Sequence, residues 1–320
     1  MAHNSAMHLL ITHAHSAAVT PNTDALAAHL KLPNLQQLLA RLNDRGLDKS
    51  DPYSLNMPHE RVLANVMGLS CDDGRFPGAS LHMAAQGLDV TGRCWAEITP
   101  VHWTVGLDQI SMGVPENLRL SDDESHALFD AVQPLLSAQG WQLQWGTALR
   151  WYATHELLQQ LATASIDRAI GQDVDDWLPD DSEPAKELRR LQNEVQMLLY
   201  RLAVNRQRRD NGEPDVNSIW LSGCGILPAQ ASLPQDLVMD DRLRLPSLQG
   251  DGPAWLQTWQ TLDAGPIATL LEAYRSGQTV QLTLSGSCGF WQWQGQKSLW
   301  GGIQKWFHQP PEPVQILAAL

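Results

Sequence analysis

Apolar residues recur along this chain with two spacings, near two and near 3.6, and the spacing assigns most of its elements. The run Met7-His8-Leu9-Leu10-Ile11 reads as an opening strand. Between Asp24 and Leu42, leucines at 26, 30, 35, 38, 39 and 42 follow helical spacing broken at Pro33, which predicts a helix, a break and a second helix starting near Pro33. Residues 43–58 are polar and contain Gly46 and Pro52, so a loop is expected there. A short helix follows from His59 to Gly68, and a second turn-rich loop over residues 70–80.

The segment from Cys94 to Met112 is strand-like, with Trp95, Ile98, Val101, Trp103, Val105 and Ile110. Ser121 and Glu124 have the spacing of a capping box, which opens a helix running to about Ser137. From Trp141 to Tyr152 the pattern alternates, as in an edge strand or hairpin. Residues 91–165 are therefore expected to form an inserted α+β subdomain within one α/β core domain spanning 7–320. Glu183–Leu202 is a clear amphipathic helix, with Leu188, Leu191, Val195, Leu198 and Leu199 on one stripe. Gly212 and Pro214 mark a turn, and Ile219-Trp220-Leu221 reads as a buried strand. A helical region at Trp255–Tyr274, a strand at Thr279–Ser285 and an aromatic C-terminal stretch with Gly295 at a hairpin turn complete the picture.

Composition narrows the function classes. With 43% apolar and 18% charged residues the chain can bury a core, the charged share being below the roughly 25% of ordinary soluble domains. A net charge of −13 repels phosphate backbones and speaks against nucleic acid. Cys71, Cys94, Cys224 and Cys288 form no CxxC pair and are expected as free thiols. No apolar run approaches the roughly 20 residues of a membrane span, so a cytoplasmic location is expected.

The stretch Val204–Gly225 holds the densest candidate chemistry. It joins a basic helix end to a turn, a strand and Gly223 and Gly225, which are expected to turn the backbone sharply at the strand's carboxyl end, where open α/β sheets place ligands. Arg150, Asn205, Arg206, Arg208, Arg209 and Asn217 are candidates for an anion cradle, since arginine forks suit oxyanions. Substitution of Arg150 or Arg208 is expected to affect ligand binding and not folding. The alternative is a solvated helix end and a turn-bonding Asn217. His13 and His15 are candidate metal ligands with Asp72, Asp73 or His59 as partners; the alternative is two partly exposed loop histidines. Cys224 reads as a buried, inert thiol. Thirteen tryptophans are many for this length, and Trp291, Trp293, Trp300 and Trp306 form either a partner-binding surface or a sheet packed on one face.

Several of these segments resemble a known family. MHLLI, PHERVLANVMGL, ITPVHWTVG, SDDESHALFDAVQPLL, LQNEVQMLLY and VNSIWLSGCG are similar to the bacterial RpfE-type regulatory proteins. LPNLQQLLARL, LRWY and the Val204–Gly225 stretch resemble the archaeal-type, cofactor-independent phosphoglycerate mutases of the alkaline phosphatase superfamily. The resemblance implies an alkaline-phosphatase-like sheet flanked by helices, and a site where two divalent ions assist a hydroxyl nucleophile. Here the first strand ends in Thr12-His13-Ala14-His15, where that family has an Asp. The nucleophile position falls near Met57-Pro58-His59, with Ser54 the nearest hydroxyl and out of register. No histidine lies between His155 and His308.

The expected protein is a degenerate, non-catalytic relative of the mutases, a regulatory or binding module that needs no cofactor. Its partner is expected to be another cytosolic protein, with a small anionic ligand as a further candidate. Two alternatives stand beside it. One is a phosphomutase or phosphohydrolase using Mn, Zn or Mg at an atypical site around His13, His15, Ser54, His59 and Asp72. The other is a structural partner subunit.

Overall fold

The computed structural model describes residues 6–15, 30–179, 181–297 and 312–320. Along the chain run β1 (Met7–Ile11), α1 (Pro33–Leu39), β2 (Asn43–Lys49), α2 (Pro58–Val66), α3 (Gly78–Ala85), β3 (Cys94–Val101), β4 (Trp103–Val105) and β5 (Ile110–Met112). Next come α4 (Asp122–Ser137), β6 (Gln142–Thr147), β7 (Arg150–Thr154), α5 (Ile166–Ala169), α6 (Glu183–Arg201), α7 (Ala203–Asp210) and β8 (Ser218–Ile226). The last are β9 (Leu237–Asp240), α8 (Arg244–Gln249), α9 (Gly252–Leu262), α10 (Ala268–Arg275), β10 (Thr279–Ser285), β11 (Gly289–Gln296) and α11 (Pro313–Ala318). They form a mixed α/β protein in two compact units. The first draws on Met1–Tyr53, Arg61–Met67 and Leu233–Leu320, the second on Ser54–Glu60 and Gly68–Ser232.

In the first unit the sheet order is β2-β11-β10-β1-β9. β1 lies parallel to both β9 and β10, while β11 and β2 are antiparallel additions at one side. Alternation on β1 puts Leu9 and Ile11 in a core with Leu282 and Leu284 of β10, leucines of α1, and Trp255 and Trp259 of α9. His8 and Thr283 fall in the opposite phase, and His8 Nε2 lies 2.8 Å from Thr283 Oγ1. Burial lowers the His8 pKa to about 4, with Asp236 pulling weakly the other way.

The α1 N-terminus explains why PNL opens a helix. Leu32 at the N-cap supplies no side-chain acceptor, and Pro33 fits the first helical position. The missing acceptor comes from Asp263, whose Oδ1 accepts from the Leu35 N–H at 2.8 Å and whose Oδ2 accepts from the Asn34 N–H at 3.2 Å. Asp263 opens a single π-helical stretch, Asp263–Ile267, that joins α9 to α10.

The second unit is built on an antiparallel sheet, β6-β7-β3-β8. Cys94, Ala96 and Ile98 of β3 face a core shared with α4 and α6, whereas Trp95 belongs to a smaller cluster with Ala79 and Met83 of α3 and with Tyr152. The Ser121–Glu124 capping box forms as expected, and Trp141–Tyr152 gives the β6–β7 hairpin with β6 at the edge.

Three expectations change. Residues 43–49 form the edge strand β2, paired to β11; Leu47 is its one apolar residue, so no alternation marks it in the sequence. The loop expected at 70–80 ends in the helix α3. Gly295 lies inside β11, opposite Val280, and not at a turn. Residues 91–165 all fall in the second unit.

Gly223 and Gly225 also act differently from expectation. Both stay in β8, where Trp95 faces Gly225 and Glu97 faces Ser222, so two β8 residues stand against Ala96 in a bulge. Gly223 takes φ +64, and a Cβ there would sit 2.9 Å from the Ala79 nitrogen; at Gly225 it would meet the Arg75 oxygen at 2.7 Å. These glycines admit the backbone leading into α3 against the sheet.

Candidate functional site

The Val204–Gly225 residues are placed as scaffold. Asn205 is fully buried; its Nδ2 donates to the Leu199 and Val216 carbonyls and its Oδ1 accepts from the Val216 N–H. Arg208 is 2% exposed and clamps three segments: Nε to Pro214 O (2.9 Å), Nη1 to Glu124 Oε1 (2.7 Å) and Nη2 to Leu118 O (2.5 Å). Arg209 pairs with Asp215 and lies over the Tyr200 ring at 5.3 Å. Asn217 binds the Trp103 backbone through both amide atoms. Each side chain is thus held by groups of its own surroundings, and they do not converge on a common anion. The expectation that Arg208 serves binding and not folding is reversed by its burial and its three internal bonds. Arg206 is exposed on α7.

Arg150 has gone elsewhere, to the α3 side of the second unit's sheet. Glu97 of β3 stands opposite Tyr152 on β7 and Ser222 on β8. Its Oε2 lies 2.9 Å from His82 Nδ1 and 3.1 Å from Arg150 Nε, the His82 and Arg150 side chains being 46% and 37% exposed. Burial pushes the Glu97 carboxyl up, but the His82 hydrogen bond and the Arg150 charge outweigh it and hold it below its ordinary value. Burial also raises the Tyr152 phenol, which accepts from Gln86 Nε2 at 3.2 Å. A carboxylate that orients a half-exposed imidazole suits general acid–base work, and it equally ties α3 to the sheet. The sequence signal for this cluster is Glu97 itself, a carboxylate within the apolar run CWAEITPV, where a buried charge requires a partner.

The remaining candidates divide between the units. His13 and His15 follow β1, which ends beside Asp240 of β9 and Leu284 of β10. His13 is buried with φ 53, and Nδ1 lies 3.0 Å from Thr12 Oγ1. Burial lowers the pKa of His15. Ser54, His59 and Asp72 belong to the second unit, His13 and His15 to the first. There Asp73 accepts from the Leu55 and Asn56 N–H groups at 2.7 and 2.9 Å, tying the Ser54 loop to residues 72–74. A two-metal site gathers several carboxylates and imidazoles. Among the described residues no three His, Cys, Asp or Glu side chains are grouped to hold an ion.

Trp293 is 2% exposed and belongs to the first unit's core, so it packs the sheet and offers no interaction surface. Trp291 stacks on it at 5.3 Å and donates Nε1 to Asp44 Oδ1 at 2.7 Å. Trp300 and Trp306 lie outside the described residues. Cys224 is buried and its thiol is pushed up to about 12, Cys94 to about 11, both chiefly by burial. Among the described residues no helix is long and apolar enough to cross a membrane.

No protein-family model matches the chain. A protein of Geobacter sulfurreducens described as "Probable 2,3-bisphosphoglycerate-independent phosphoglycerate mutase" is 26% identical over 223 residues, 68% of this chain and 51% of that protein. The chain thus spans about half the length of the curated relative it matches. Among solved structures, the cofactor-independent phosphoglycerate mutase from Thermoplasma acidophilum aligns at 12% identity with a TM-score of 0.38, covering 92% of this chain and 90% of that one. The PH0037 protein from Pyrococcus horikoshii aligns at 11% identity with a TM-score of 0.46, covering 91% and 87%. The chain is a mixed α/β protein distantly similar in sequence to a cofactor-independent phosphoglycerate mutase.

Proposed function

We propose that the chain is a binding or regulatory module on a mutase-like, alkaline-phosphatase-like scaffold, a cytoplasmic pseudoenzyme of the RpfE type that acts through a protein partner. The observation that carries this reading is the use of Arg208 and Asn205. The stretch that most resembles the mutases directs its arginine and asparagine inward, onto Glu124, Leu118, Pro214, Leu199 and Val216, and holds the fold with them. The test is incubation of purified chain with 3-phosphoglycerate and Mn, Mg or Zn, alongside elemental analysis after free ions are removed. Neither 2-phosphoglycerate above the protein-free control nor stoichiometric metal is expected. Metal-dependent turnover that disappears when His13 and His15 are both changed to Ala would overturn the proposal.

A second reading, a metal-dependent phosphoester enzyme, is favoured by one observation. His13 and His15 follow the carboxyl end of a strand flanked by two parallel neighbours, where open α/β sheets bind ligands. That enzyme needs further ligands from outside the described residues.

A further inference from the structure

Within the second unit, a groove of about 450 Å³ runs between the β4 edge and α6. Trp103 and Val105 stand on its strand side; Asn193, Gln196 and Tyr200 stand on its helix side. We propose that this groove docks an extended, cationic peptide segment of a partner protein.

The first support is the backbone of β4. In the β4–β5 hairpin the Gly106 N–H donates to Gln109 O and the Gly113 N–H to His102 O, so the even-numbered residues from 102 to 106 face β5. Trp103 and Val105 therefore turn their N–H and C=O groups the other way. At Trp103 a side chain takes the place of a strand: Asn217 Oδ1 accepts from the Trp103 N–H at 2.7 Å and Nδ2 donates to its carbonyl at 2.8 Å. At Val105 no strand pairs on that side among the described residues. The pairing of β8 with β3 ends at Val101 and Ser218, so an added strand would continue the lane β8 leaves. Strand addition of this kind draws affinity from main-chain bonds and selectivity from alternate side chains.

The helix wall sets the length and the charge sets the class. From Arg189 to Tyr200 the wall covers about 16 Å at 1.5 Å per residue, which accommodates about five extended residues. Asp175 adds an exposed carboxylate to the lining. The lining cation, Arg189, donates to Pro179 O at 2.7 Å and to Asp181 at 2.8 Å. The charge left for an occupant is therefore negative, on a chain of net charge −13, and favours Lys or Arg. At the rim Val105 is 79% exposed and Tyr200 70%, large apolar surface of the kind a partner's apolar side chains cover.

The inference deepens the binding-module reading and rests on it for its role, but peptide binding and phosphoglycerate turnover are read separately, so each can fail alone. The test pans a display library of random twelve-residue peptides on the full chain, with counter-selection on the Asn193→Arg chain, and measures selected peptides by fluorescence polarisation. The expected result is enrichment of sequences with a Lys or Arg two or four residues from an apolar residue, bound at least tenfold more weakly by Asp175→Lys and by Val105→Pro. Asp175 and Asn193 are exposed, so their variants test the groove without burdening the fold. Absence of enrichment, or affinity indifferent to Asp175→Lys and Asn193→Arg, would overturn the proposal. A dimer in sedimentation that Asn193→Arg dissolves would also overturn it, by placing a second copy of the chain in the groove.

Discussion

Arg208 and Glu124 are 84 residues apart in the chain, and their side chains meet at 2.7 Å with the guanidinium almost wholly buried. Glu124 is at the same time the third residue of α4 and closes its capping box, accepting from the Ser121 N–H at 2.9 Å. One carboxylate thus starts a helix and neutralises an arginine that ties α7 to the Leu118 turn.

Removal of Arg208 leaves three acceptors, one of them charged, without their donor. The Glu124 carboxylate is 27% exposed and keeps its bonds from Ser121, so the loss is that of unsatisfied acceptors, about 1–3 kcal/mol, and Arg208→Ala should lower the urea midpoint by that equivalent. Arg206→Ala, on the exposed face of the same helix, should change it by less than about 0.5 kcal/mol. Equal midpoints for the two variants would contradict the clamp.

Gly225→Ala places a methyl group 2.7 Å from the Arg75 oxygen and 2.8 Å from the Pro77 Cα. Both are backbone atoms, so relief requires moving the α3 entry off the sheet, at about 1–3 kcal/mol. Gly212→Ala meets nothing within 4 Å but must hold φ +73, so it should cost less. Thermal melts of the two variants give the comparison.

His8, buried, and Glu60, half-buried, predict opposite pH slopes. His8 has a folded pKa of about 4 against 6.5 unfolded, so the unfolded chain binds the extra proton and stability falls as pH drops from 6.5 to 4, by about 3 kcal/mol at most. Glu60, raised to about 7 from 4.5 by burial despite its bond from Ser165, holds its proton longer in the folded state, and stability falls as pH rises from 4.5 to 7. His8→Gln should flatten the acid limb and Glu60→Gln the neutral one, read as differences from wild type in denaturant titrations across pH.

Thiol titration offers a fourth check. Cys94 and Cys224 are buried, whereas Cys71, whose thiol partial burial also raises, and Cys288 are half-buried. A disulfide reagent at pH 8 should label Cys71 and Cys288 in the native state and reach all four only in denaturant.

The sequence carried the elements whose packing face is continuous. The stripe on α6, the capping box of α4 and the alternation of β6 and β7 each show in local spacing. β2 did not, because an edge strand with polar residues on both faces owes its form to the main-chain bonds of β11. The arginines misled for a related reason. Composition shows a basic helix end, but whether a guanidinium faces water or a Glu124 reached across 84 residues is decided by tertiary packing. Glu97 of β3 and His82 of α3 are brought together only by the glycine-permitted approach of helix to sheet.

Asp263 gives α1 a starting point that lies 228 residues further along the chain. β1 is in the same position, since its neighbours β9 and β10 begin at Leu237 and Thr279. During synthesis, then, the first unit leaves the ribosome as an opening strand and helix whose partners do not yet exist, while the second, continuous from Gly68 to Ser232, emerges complete in between. Every residue of the second unit is therefore made before Asp263, the carboxylate that meets the amides of Asn34 and Leu35 and starts α1.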